Sequence, residues 1–97
     1  MAVNHIVLLQ WKPDMAAAEI EAIFAASREF PKQIPGCIGA TCGENFSTRS
    51  DGYTHVSTAL FDSRAALEAY RTDPAHMRVV KMLTGRTARV LVVDYDC

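Results

Sequence analysis

The chain has 97 residues, 49% of them hydrophobic, with 10 basic and 11 acidic residues and a formal net charge of -1. That length predicts one domain over residues 1–97, the balanced charge argues against a nucleic-acid or membrane-surface partner, and no apolar run nears the roughly 20 residues that span a bilayer. A domain this small hides only about two-thirds of its extended surface, so part of this apolar content is expected to meet a partner subunit or a ligand.

Residues 3–11 read as a strand, closed by Lys12-Pro13-Asp14. A helix pattern follows from about Met15 to Lys32, with Ile20, Ile23, Phe24 and Ser27 on one stripe. Pro31, Pro35 and Gly36 end it. Residues 37–46 form a weaker strand interrupted by Gly39 and Gly43, and the polar stretch from Glu44 to Asp51 reads as a loop. Tyr53 to Phe61 is a strong strand by its β-branched and aromatic residues. Asp62-Ser63 caps a helix to Tyr70 or Arg71. Asp73-Pro74 opens another that runs to about Leu83, with proline at the first helical position. Gly85 ends it, and Arg86 to Tyr95 is the last strand.

The order β-α-β-β-α(α)-β predicts an α+β fold of the ferredoxin-like kind, with helices on one face of a four-stranded antiparallel sheet. The first strand has Val7, Leu9 and Trp11 on one face and Ile6 and Leu8 on the other. Val90-Leu91-Val92-Val93 does not alternate at all. Strands apolar on both faces belong to sheets covered on both. One helical layer covers one face, so a second copy across a two-fold axis is expected on the other.

Cys37, Cys42 and Cys97 are odd in number and form no CxxC pair, which predicts reduced thiols, no zinc site and a cytoplasmic protein. The N-terminus carries no signal-peptide pattern. Five residues apart in one strand, Cys37 and Cys42 are expected on opposite faces.

The three histidines are the candidates for chemistry, with two separate hydrogen-bonded core histidines as the other reading of His5 and His55. His5 and His55 fall near the starts of two central strands. Taken as adjacent and parallel, those strands would bring both rings to one face, near one end. His76 lies in the first turn after Asp73-Pro74, with Val80 and Leu83 as face-mates, so its ring is expected to point inward. Tyr70 shares a stripe with Leu67, and the Asp-Pro break lets Tyr70 and His76 face one cavity. A neutral imidazole near pH 7 is what a general base requires. No nucleophile elbow, phosphate loop, HExxH or paired-carboxylate site is present, and neither a metal nor a cofactor is expected.

His5-Ile-Val-Leu-Leu-Gln-Trp-Lys, Ile34-Pro35-Gly36, Gly52-Tyr53-Thr54-His55 and Tyr70-x-x-x-Pro74-x-His76 together resemble the stress-responsive A/B barrel (Dabb) family over essentially the whole chain. The resemblance implies a ferredoxin-like homodimer whose two sheets form an α+β barrel. Within the family it leans toward the plant polyketide cyclases, which implies cofactor-free aldol cyclisation of a poly-β-keto substrate. Matched motif by motif, Tyr70 and His76 become catalytic residues and His5 and His55 substrate-binding ones. Ser27 stands where those cyclases line the pocket with a tyrosine, which implies a reshaped substrate site. Two other functions fit the family: a non-catalytic dimeric barrel that binds a hydrophobic ligand, and a cofactor-independent monooxygenase of the related dimeric barrel class.

Overall fold

The computed structural model describes residues 1–97. The elements are β1 (Val3–Trp11), α1 (Ala17–Arg28), α2 (Phe30–Gln33), β2 (Cys37–Glu44), β3 (His55–Phe61), α3 (Arg64–Tyr70), α4 (Pro74–Leu83) and β4 (Thr87–Asp96). The strands form one sheet in the order β2-β3-β1-β4, and every neighbouring pair is antiparallel. This is the ferredoxin-like arrangement.

The expected single helix from Met15 to Lys32 divides at Glu29. Pro31 has no N–H to offer the Ser27 carbonyl, and its ring would clash there. The chain turns, the Glu29 N–H bonds back to the carbonyls of Ala26 and Ser27, and Phe30 swings into the core. The caps at the other helices act as expected. Ser63 accepts from the Ala66 N–H, and Asp73 accepts from the Ala75 N–H.

Alternation in β1 sends Val3, His5, Leu9 and Trp11 into the core beneath the helices. From β3, Ala59 and Phe61 join them. Phe61 is fully enclosed, between His5 and Tyr70. At the tight turn into β2, Gly36 has φ of +81°, and a Cβ there would lie 2.5 Å from that of Ala66. Only glycine lets the turn and α3 approach so closely.

Two expectations about faces require correction. Strands β1 and β3 are adjacent and central, but they run antiparallel, because the strand inserted in a split β-α-β unit opposes both flanking strands. His5 therefore pairs with Ala59 while His55 pairs with Leu9. The two histidines share a face but stand four residues apart along the ladder, roughly 13 Å. In β2 the register shifts between Cys37 and Gly39. This irregularity offsets the odd spacing, so Cys37 and Cys42 both turn toward the helices, packed in or against the core. Both remain free thiols.

The opposite face of the sheet is bare. Leu91, Val93 and Tyr95 of β4 lie opposite Leu8, Ile6 and Asn4 of β1 and are each more than 40% exposed. No helix is long and apolar enough to cross a membrane.

Phe61→Ala removes the most enclosed large side chain and should cost about 3–5 kcal/mol. Urea denaturation should register this as a lower midpoint with an unchanged slope.

Candidate functional site

A cavity of about 520 Å³ lies between the sheet and helices α1, α3 and α4. Its floor is the helix-facing side of β1 and β4, and its walls are largely apolar. Val90 and Val92 line it yet remain 48% exposed, so the cavity opens along β4, the sheet edge the helices leave uncovered.

The chain reverses between Tyr70, the last residue of α3, and His76, in the first turn of α4. The Asp73 N–H donates to the Tyr70 carbonyl at 3.1 Å. Asp73 then offers its carboxylate to the Ala75 N–H at 2.9 Å. The Arg71 carbonyl receives Nδ1 of His76 at 3.2 Å. A carbonyl only accepts, so the proton sits on Nδ1 and the lone pair is left on Nε2. The rings of Tyr70 and His76 stack with centroids 3.9 Å apart and planes 32° from parallel. Phe30 packs edge-on against both, at 5.6 and 6.2 Å.

The Tyr70 ring is buried, yet its hydroxyl takes no partner within the protein. No side-chain polar atom is both buried and unpaired, so this hydroxyl opens on the cavity. Burial, with smaller contributions from Cys37 and Asp94, pushes the phenol well above its ordinary value. It stays protonated, with its hydroxyl free to donate into the cavity.

Burial also lowers the His76 value. The Arg71 carbonyl and Asp73 pull it upward, while positive charge on His5 and Arg71 pushes it further down. His76 is thus held neutral near pH 7, with Nε2 ready to take a proton.

His5 reaches the same cavity from β1, its ring 5.5 Å from that of Tyr70. Its Nδ1 donates to the carboxylate of Asp94, which stands directly across on β4. Ser27 also lines the cavity, but its hydroxyl donates to the Ile23 carbonyl of its own helix at 3.1 Å.

His55 is placed elsewhere. It borders a separate hollow between α1 and the end of β2, with Phe24 shared between the two spaces. Its Nδ1 accepts from the Trp11 indole at 3.0 Å and lies 2.8 Å from the Thr54 hydroxyl. The antiparallel pairing of β1 and β3 accounts for this separation. The cavity thus gathers Tyr70, His76, His5 and Ser27 and leaves out His55. Asp94, which the sequence analysis passed over, belongs to it. The available signal was one acid interrupting the apolar run from Val90 to Tyr95, though its face depended on the β1–β4 register.

The class is therefore a ferredoxin-like α+β domain with its pocket between sheet and helices. Residues 3–97 match the family model described as the stress responsive A/B barrel domain, and the chain belongs to that family. It is 27% identical over 95 residues to the stress-response A/B barrel domain-containing protein HS1 of Arabidopsis thaliana, covering 96% of this chain and 87% of that one. It is 26% identical over 97 residues to olivetolic acid cyclase of Cannabis sativa, covering 98% and 96%. A crystal structure described as a dimeric ferredoxin-like protein of unknown function, from Jannaschia sp. CCS1, superposes with a TM-score of 0.87 at 27% identity over the whole of both chains.

Because the folded state disfavours the charged ring, the His76 resonances should titrate with a midpoint below the ordinary 6.5 in proton NMR. The unfolded chain takes up this proton more readily. The contribution of His76 to stability is therefore present at neutral pH and falls as pH drops through that window.

Proposed function

We propose that this protein is a small cofactor-free cyclase acting on poly-β-keto substrates. The observation that carries the reading is the stacked Tyr70–His76 pair, with a free imidazole nitrogen and a free phenol both presented to a mostly apolar cavity. A methylene between two carbonyls is acidic enough for a neutral imidazole to deprotonate. In this reading, Nε2 of His76 takes that proton, and the Tyr70 hydroxyl donates a hydrogen bond to the enolate oxygen as charge develops. The apolar walls hold the rest of the chain folded so that the enolate carbon meets a carbonyl further along the same molecule. His5 positions a substrate oxygen. Similarity to a protein named olivetolic acid cyclase supports this reading.

We also propose that the working form is a homodimer, with the bare face of one sheet packed on that of another. The exposed Leu91, Val93 and Tyr95 support it, as does the dimeric description of the Jannaschia protein.

The reading is tested by incubating the protein with a linear poly-β-keto thioester and following ring formation by absorbance and chromatography. His76→Ala should lower turnover by about 100-fold or more, the usual contribution of a positioned acid–base group. Tyr70→Phe should cost less, since the stacked ring remains. Ser27→Tyr should narrow the cavity and shift preference to slimmer substrates. If His76→Ala leaves turnover unchanged, the catalytic reading is lost, and the cavity is one that binds a hydrophobic ligand without transforming it.

For assembly, sedimentation should give twice the mass of one chain, and Val93→Asp should return it to a monomer. A wild-type monomer at micromolar concentration would overturn the dimer.

A further inference from the structure

The cavity holds two imidazoles, and they have different partners. His76 Nδ1 meets a neutral carbonyl, that of Arg71. His5 Nδ1 meets a carboxylate, that of Asp94, directly opposite in the β1–β4 ladder. In each ring Nδ1 is occupied and Nε2 is the nitrogen left over. Tyr70 touches both, its ring centroid 5.5 Å from that of His5 and 3.9 Å from that of His76. His5 is buried, while the Asp94 side chain keeps 30% of its surface open to solvent, so the pair sits where the cavity meets the β4 edge.

The two partners do different things. A carboxylate on Nδ1 stabilises a ring that carries a second proton on Nε2, as the aspartate of a serine-protease triad does. A neutral carbonyl offers much less, and positive charge on His5 disfavours a second charge on His76 nearby. An imidazole backed by a carboxylate and one backed by a carbonyl are thereby suited to different proton tasks. An aldol closure needs both, because a proton leaves carbon at one point of the substrate and another must reach oxygen at a second point.

We propose that His5, held by Asp94, is the proton donor of the site, while His76 is the base. This rests on the cyclase reading above. Nε2 of His76 takes the proton of the methylene, and the C–H electron pair becomes the enolate. The enolate carbon bonds to a distant carbonyl carbon of the same chain. The π pair of that carbonyl moves onto its oxygen, which takes the Nε2 proton of the His5 imidazolium. One C–C and one O–H bond form as one C–H bond and one C=O π bond break, so the product is an isomer of the substrate. The proton gained by His76 returns to His5 through solvent at the open β4 edge. Asp94 acts through His5 and is a positioning residue.

The test separates the two proton transfers. A β-diketone too short to cyclise can only exchange its methylene protons with D2O, which requires the base, whereas cyclisation of a longer poly-β-keto thioester requires both groups. Asp94→Asn is nearly isosteric, and His5→Gln is a second variant if the first folds poorly. At saturating substrate both should lower cyclisation by more than about tenfold, while exchange at saturating diketone falls far less, any weaker binding through His5 appearing in KM. Long-range 1H–15N spectra of the wild type should show His5 carrying protons on both ring nitrogens, and Asp94→Asn should change its ring-nitrogen shifts while leaving those of His55 in place; a His5 protonated at Nδ1 alone would overturn the donor assignment. If Asp94→Asn reduces exchange and cyclisation alike, or neither, the donor assignment is overturned while the cyclase stands. If the wild type neither exchanges nor cyclises, the cyclase reading fails and the donor role with it.

Discussion

The site depends on one short reversal of the chain. In an uninterrupted helix the Arg71 carbonyl would accept from the Ala75 N–H. Pro74 cannot extend a helix backward through Asp73, and it drives that residue into the extended region. Asp73 has φ -64° and ψ 135°, and its carboxylate takes the Ala75 N–H instead. That leaves the Arg71 carbonyl open to His76. The same reversal that separates α3 from α4 thus orients the imidazole, selects its tautomer and lays it against Tyr70. Substituting a side chain for a backbone bond costs little, because the N–H remains satisfied.

The rest of the fold supplies the apolar surroundings that give this geometry its effect. Phe61 and Phe30 press on Tyr70 from two sides, and burial keeps the phenol protonated and the imidazole neutral. Pro31 contributes indirectly. By ending α1 it brings Phe30 inward, where the aromatic packing confines both rings to the cavity side.

What could be read from the sequence was whatever local periodicity and turn chemistry determine. The β-α-β-β-α(α)-β order, the Ser63 and Asp73 caps and the inward direction of Tyr70 and His76 all follow from residues within one or two turns of each other. What could not be read depended on pairing between distant segments. The direction of β1 relative to β3 decided that His5 and His55 stand apart. The bulge in β2 reversed the relation between Cys37 and Cys42. Asp94 joined the site only through its register with His5, since an apolar run without alternation does not reveal which way its one acid points.

Ser27 has a consequence for how such a pocket diversifies. Its hydroxyl is satisfied by the Ile23 carbonyl one turn back, so nothing else in the cavity relies on it. Replacing it strands no donor or acceptor elsewhere, and that carbonyl already serves its own helix. The position sits on α1, across from Tyr70 on α3, His76 on α4 and His5 on the sheet. A change of side chain at residue 27 therefore alters the volume of the cavity without touching the hydrogen bonds that orient those rings.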